Sequence, residues 1–306
     1  MRCVICAIAK NENRYIVEWL KYHISIGFDH IFLYDNNDVY GERIEWVLTP
    51  EVIPYVTIFD VRGKKYIQKE IYNVCYYSYE FDWCAFIDID EFITFTSESK
   101  FKKITEFLSD KKQYDAVHLN WKCYGDGGVL NSQDSSVISR FKEPIEPIDF
   151  KCMYDFPENN HIKSIVKSGL FIDWNSESWD SNPHTPWGLN CICDANGRLV
   201  QINSPFKSYT HDKAYIRHYV TKTLEEYAIK IKRQCADTSA VFYSFSKYYR
   251  YNKLTLRKLV CQYGLLKKYN INGYKNSLLG TIHFYLKYQY PTLFQYIKHI
   301  KYFFTS

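Results

Sequence analysis

Every residue from Cys3 to Ala9 is apolar, and the polar run Lys10-Asn11-Glu12-Asn13 follows at once. A short continuous apolar run is the pattern of a strand covered on both faces. From about Glu12 to Ile26 the period changes. Ile16, Leu20 and Ile24 recur four apart on one helical face, and Gly27 stands where a helix stops. His30 to Tyr34 reads as a second strand ending in the polar cluster Asp35-Asn36-Asn37-Asp38, and a β-α-β opening implies parallel pairing. Val56 to Asp60 predicts another strand, and Lys65 to Tyr79 a helix with Ile67, Ile71, Val74 and Cys75 on its inner face. Trp83-Cys84-Ala85-Phe86-Ile87 repeats the buried-strand pattern and delivers Asp88-Ile89-Asp90-Glu91 from its carboxyl end. In open α/β sheets, ligands bind outside those ends. Phe101 to Leu108 predicts a short helix and Ala116 to Trp121 a strand, after which the pattern is irregular through residue 200, as in long binding loops. A helix is predicted from about Thr221 to Gln234, and the remaining tail reads as helical.

Charge divides the chain near residue 237. Residues 1–237 carry 28 Lys/Arg against 34 Asp/Glu, whereas residues 238–306 carry 11 Lys/Arg and no acid. Two domains are therefore expected, 1–237 and a basic, aromatic, mostly α-helical extension over 238–306. Its stretches Phe284-Tyr285-Leu286-Lys287-Tyr288 and Tyr296-Ile297-Lys298-His299-Ile300-Lys301-Tyr302-Phe303-Phe304 have the make-up of helices that lie on anionic membranes. Basic and aromatic interleaving also suits a nucleic-acid-binding protein, but that reading leaves Asp88 and Asp90 unexplained. The N-terminal apolar run is too short for a signal peptide, and no run reaches the roughly 18 residues of a spanning helix. The expectation is a cytoplasmic protein, peripheral on the inner face of the cytoplasmic membrane. Ten cysteines are scattered through strand-like and helix-like patterns, which favours reduced thiols, and Cys191-Ile192-Cys193 lacks the second pair of a zinc site.

An apolar strand ending in Asp88, Asp90 and Glu91 needs an explanation, because neighbouring like charges repel and desolvation raises the cost. A divalent cation relieves both. On an extended backbone Asp88 and Asp90 face one side and reach one Mn²⁺ or Mg²⁺, which takes its other ligands from water and phosphate. That arrangement fits a diphosphate leaving group. A metal-dependent phosphohydrolase or nucleotidyltransferase would use a similar acidic site.

The run Ala7-Ile8-Ala9-Lys10-Asn11-Glu12-Asn13 with Glu18-Trp19, the strand end Tyr34-Asp35-Asn36, Ile87-Asp88-Ile89-Asp90-Glu91-Phe92, and Arg217-His218-Tyr219-Val220-Thr221-Lys222-Thr223-Leu224-Glu225-Glu226-Tyr227 resemble the glycosyltransferase family 2-like and family 92 group. The resemblance spans about residues 1–235. It implies a GT-A fold, a Rossmann-like α/β domain that binds a nucleotide sugar with Mn²⁺ or Mg²⁺. It places Lys10, Glu12, Asp35, Asn36 and Asp88 on the donor side, with Asp35 near the base or ribose and Asp88 near the ribose. It also implies Asp90 on the metal, with Asp88 close by, and His184 or His218 completing the metal shell.

Lys222 and Lys230 offset diphosphate charge if they face it, although helix lysines are usually only solvated. An inverting displacement needs a carboxylate base, for which Asp126 in Gly125-Asp126-Gly127-Gly128 is the candidate and Glu91 the fallback; Asp126 otherwise serves a turn. Trp121 is a sugar-stacking candidate on the acceptor side, or else a partly buried core residue. The expected donor is a UDP-hexose, galactose by family resemblance. The expected acceptor is a glycan or glycolipid, in lipopolysaccharide or capsule synthesis.

Overall fold

A computed structural model describes residues 1–129, 131–132, 134–145, 158–177, 182–200, 210–233, 248 and 252. The elements in chain order are β1 (Cys3–Ala9), α1 (Asn13–Ser25), β2 (His30–Asp35), β3 (Val56–Asp60), α2 (Gln68–Ser78), β4 (Trp83–Phe86) and β5 (Glu91–Phe95). They continue with α3 (Ile104–Ser109), β6 (Ala116–Cys123), α4 (Val137–Arg140), β7 (Ile162–Lys167), β8 (Ile192–Asp194), β9 (Ala214–His218) and α5 (Leu224–Arg233).

The chain forms two compact units. The first takes in the described residues of Met1–Tyr124 and Pro144–Val220, with Arg233, and it holds the sheet of the described residues. Strands run in the order β3-β2-β1-β4-β7-β6-β9-β5, with β8 beside β6. The stretch β3-β2-β1-β4 is parallel and Rossmann-like, since β1 pairs in parallel with both β2 and β4. β7 then runs antiparallel between β4 and β6, and β9 joins β6 in parallel to β5 in antiparallel. The α/β class predicted from the sequence is thus the class observed.

The apolar runs behave as their composition demands. All seven residues of β1 and all four of β4 are buried. Burying a large aliphatic or aromatic side chain of this kind stabilises by about 1.5–3 kcal/mol. Gly27, at φ +99°, takes the left-handed conformation that ends α1. The described cysteines are free thiols, and Cys6, Cys75 and Cys84 meet in the core between α2 and the sheet.

Three expectations change. Val74 is exposed: the buried stripe of α2 is Gln68, Ile71, Tyr72, Cys75 and Tyr76, and a step of about 100° per residue carries Val74 to the other side. The region called irregular up to residue 200 contains β7 and β8, and β9 follows it. β7 was hidden because Lys163 and Ser164 interrupt its apolar residues, yet both are buried. Glu91 opens β5, a strand absent from the pattern reading.

The second unit takes in Gly125–Glu143, Thr221–Lys232 and, from the segment beginning at Phe242, the described residues Tyr248 and Asn252. Thr223 and Glu226 form a reciprocal cap at the start of α5: the Thr223 amide donates to Glu226 Oε2 at 2.8 Å, and the Glu226 amide to Thr223 Oγ1 at 3.2 Å. The boundary expected at residue 237 and the predicted tail helices lie outside the described residues.

Candidate active site

β4 ends at Phe86, and the chain folds back through Asp88–Glu91 into β5. The Glu91 amide donates to the Asp88 carbonyl at 3.1 Å, so this segment is a tight turn and not the extended backbone expected. The turn is fixed from outside as well, because Trp19 Nε1 donates to the Glu91 carbonyl at 2.8 Å and the Tyr219 amide to the Asp90 carbonyl at 2.9 Å. Those contacts give Trp19 and the segment after His218 a physical role.

As a result the two aspartates face different partners. Asp88 accepts from Gln68 Nε2 at Oδ1 (3.0 Å) and from Lys163 Nζ at Oδ2 (2.8 Å), with its side chain still 35% exposed. Asp90 is buried, and its Oδ1 lies 3.7 Å from His218 Nε2, beyond hydrogen-bonding range. Glu91 is fully buried. Its Oε2 accepts the Asp88 amide at 2.8 Å and lies 3.7 Å from Lys163 Nζ, while Oε1 has no hydrogen-bond partner among the described residues. Burial pushes the Glu91 carboxyl well above the usual carboxylate range; Lys163 opposes this, and Asp88 and Asp90 add to it. For Lys163 burial alone would lower the pKa, but the Asp88 and Glu91 carboxylates outweigh it and keep the ammonium charged. Sequence reasoning missed Lys163 and Gln68. The available signal for Lys163 was a cation set among Ile162, Ile165 and Val166, which needs a carboxylate partner once that run is recognised as a strand.

Trp121 gathers the imidazoles. Its ring lies 4.1 Å from that of His218, 5.2 Å from His184 and 4.9 Å, nearly parallel, from His161, centroid to centroid. The indole is 8% exposed, so most of its surface packs on protein rather than standing open to a sugar. His184 places Nδ1 2.8 Å from the Ile162 carbonyl. A carbonyl only accepts, so Nδ1 carries the proton and Nε2 the lone pair. Burial, reinforced by Lys163 and His161, holds His184 well below the ordinary histidine pKa.

The residues expected on the donor side at the ends of β1 and β2 build one rigid loop. Asp35 accepts from the Asn37 amide and the Ile44 amide, both at 3.0 Å, so each carboxylate oxygen already shapes its own turn. Asn36 Nδ2 donates to the Val61 and Lys64 carbonyls, both at 3.0 Å. Glu12 caps α1 through its carbonyl, which accepts from Tyr15 and Ile16, and Lys10 pairs with Asp38 at 3.4 Å.

In the second unit, Asp126 is buried and its carboxylate accepts from Tyr248 Oη and, at 2.8 Å, from the Gly128 amide, while its own amide donates to Asn252 Oδ1 at 2.8 Å. This is the geometry of a turn residue. Lys222 and Lys230 are buried instead of solvated, and Lys222 stands before α5 with φ +49°. Arg140 forms a buried pair with Glu226, Nη2 to Oε1 at 3.0 Å.

Two plant proteins are similar to this chain. A glycosyltransferase family 92 protein of Ricinus communis is 31% identical over 173 residues, and one of Oryza sativa subsp. japonica 30% identical over 173 residues. Each alignment covers 53% of this chain but only 28% and 26% of the respective relative, so the chain spans less than a third of their length. Among solved structures, S. aureus TarS 1–349 in complex with UDP-GlcNAc is similar at TM-score 0.42 and 14% identity, over 85% of this chain and 67% of that one. S. aureus TarS 1–349 is similar at TM-score 0.40 and 15% identity, over 91% and 75%. The pattern of glycosyltransferase family 92 matches residues 51–261, well over half of the chain and inclusive of the Asp88–Glu91 turn, Lys163 and His218, and the chain belongs to that family.

Proposed function

We propose that this protein transfers a hexose from a nucleotide diphosphate sugar to a glycan or glycolipid acceptor, with Asp90 and His218 holding Mn²⁺ or Mg²⁺. Support comes chiefly from one observation: at the carboxyl end of β4, the Asp90 carboxylate and the His218 imidazole sit 3.7 Å apart, too far to hydrogen-bond and close enough to share a cation. The unpartnered Oε1 of buried Glu91 in the same turn marks a site whose polar groups are incomplete without a ligand. Among the described residues no three acidic, histidine or cysteine groups form a full metal cage. A carboxylate–imidazole pair fits an ion that draws its other ligands from phosphate and water.

When bound, the metal neutralises charge on the departing diphosphate. The chain's own residues do the rest. Asp88, partly exposed and held at both oxygens, keeps lone pairs for a ribose hydroxyl. Trp121 spaces the imidazoles of His184 and His218 beside the turn. The Asp35–Asn37 loop presents a preformed edge for the nucleotide base. Asp126 is our candidate for the base that takes the acceptor proton, ahead of Glu91, whose Oε2 already accepts the Asp88 amide and faces Lys163. We favour UDP-galactose as donor on the family likeness. A lipid-linked acceptor in lipopolysaccharide or capsule would suit the basic aromatic tail.

The test is thermal unfolding of the native chain and of Asp90→Asn with UDP, GDP, CMP and their sugars, with and without Mn²⁺. One diphosphate should raise the melting temperature in a metal-dependent way, by about 2.7 kcal/mol of stability at a hundred times its Kd, and Asp90→Asn should abolish the effect. Absence of any nucleotide shift in the native chain would sink the reading. In a transfer assay, Asp126→Asn should lose turnover while keeping the donor shift; loss of folding instead would assign Asp126 to its turn.

A further inference from the structure

Lys163 stands on β7 with its side chain 1% exposed, between β4 and β6 in the sheet. A cation so deep has to be paired, and its partners are the carboxylates of the turn that follows β4: Asp88 Oδ2 at 2.8 Å and Glu91 Oε2 at 3.7 Å. Gln68 Nε2 takes the other Asp88 oxygen at 3.0 Å. The turn therefore carries a fixed positive charge of its own, on the side formed by Asp88 and Glu91. Asp90 points elsewhere, to His218.

We infer that Lys163 is a resident counter-cation that withholds Asp88 and Glu91 from the metal, so that the divalent ion enters with the nucleotide diphosphate and not before it. The inference rests on the donor and metal reading above. A hydrated divalent ion approaching the turn meets an ammonium that burial shields from solvent and salt. Asp90 and His218 alone bring one carboxylate and one imidazole, whereas such ions usually complete their shell with substrate phosphate. The diphosphate supplies the charge that Lys163 has cancelled. Asp88, clamped by Lys163 and Gln68, is thereby reserved for the sugar side of the nucleotide. A Lys163 that merely filled space would leave metal affinity indifferent to its charge. Lys163 is on this account a positioning residue, acting through Asp88.

Mn²⁺ binding to the full chain, followed by the electron-spin signal of the free ion with and without UDP, tests this on the native chain, Lys163→Met and Lys163→Arg. The native chain should bind Mn²⁺ about tenfold or more tightly with UDP than without, and UDP should gain the same factor from Mn²⁺. Lys163→Met should gain about tenfold in nucleotide-free Mn²⁺ affinity, since Asp88 and Glu91 lose their counter-charge and become available to the ion. Lys163→Arg should behave as native. Equal Mn²⁺ binding with and without UDP in the native chain overturns the inference, and so does an unchanged nucleotide-free affinity in Lys163→Met. Where Lys163→Met does not fold, Lys163→Gln carries the same expectation, and the native comparison still decides the order of entry. Failure of the underlying metal reading is a different result: no Mn²⁺ binding by any of the proteins with UDP, GDP or CMP.

Discussion

His23 shows how much a single side chain can reveal when its partners are known. Its Nδ1 faces the Trp19 carbonyl at 2.9 Å and its Nε2 the Ile93 amide at 3.4 Å. A carbonyl only accepts and an amide only donates, so the ring is neutral in the fold. Burial lowers its pKa to about 3, and His118, also buried, is lowered to about 3. An unfolded histidine titrates at roughly 6.5. Because the folded values are depressed, the unfolded chain takes up protons first on acidification. Stability present above about pH 6.5 is then lost as pH falls toward 3, by up to about 1.4 kcal/mol per pH unit for each ring. Urea unfolding between about pH 7 and 5 should show the decline, and His23→Gln should make it shallower by one proton. An unchanged slope would mean that His23 is not buried as a neutral ring. In the sequence these histidines look like any others. Only their partners separate them from His184 and His218 in the site.

At the scale of elements, periodicity was a good guide where a segment was uniformly apolar or regularly amphipathic. β1, β2, β3, β4, β6, α1 and α2 lie where the pattern puts them, to within a few residues. It failed where charge is buried by pairing: β7 and β5, which carry the buried Lys163 and Glu91, were not predicted, because propensity takes no account of a partner elsewhere in the chain. It also passed over short bridges. Asp173 and Trp187 exchange both backbone hydrogen bonds at 3.0 Å, and the next residue, Gly188, has φ +97°. A Cβ there would come within 2.3 Å of the Phe171 carbonyl oxygen. Gly188→Ala should therefore cost about 2 kcal/mol or more, through backbone strain and that collision together. Chemical unfolding of the variant measures it, and a loss below about 0.5 kcal/mol would show that the bridge yields freely.

For the whole molecule the decisive sequence feature is the charge asymmetry, since the last 69 residues hold 11 Lys/Arg and no acid. No described helix is long and apolar enough to cross a membrane. A basic aromatic segment gains about 1 kcal/mol per Lys or Arg near an anionic leaflet and loses it as salt rises. Co-sedimentation with phosphatidylserine vesicles should accordingly retain the full chain at low salt and release it at high salt. Lys298→Glu with Lys301→Glu should weaken retention. Binding that ignores both salt and these charges would count against the membrane reading and favour an acceptor held by other means.

The sequence by itself determined the α/β class, the parallel β-α-β opening and the placing of Asp88 and Asp90 at the end of a buried strand, because hydrophobic periodicity and the order of elements are local properties. It also carried the family likeness, which the match over residues 51–261 bears out. Tertiary structure alone decided which groups those carboxylates meet. Lys163 and Gln68 reach Asp88 from 75 and 20 residues away, and Trp19 reaches Glu91 from 72. No local pattern encodes such distances. The cost of burying a charge or a polar group is met by partners that only the folded sheet brings together.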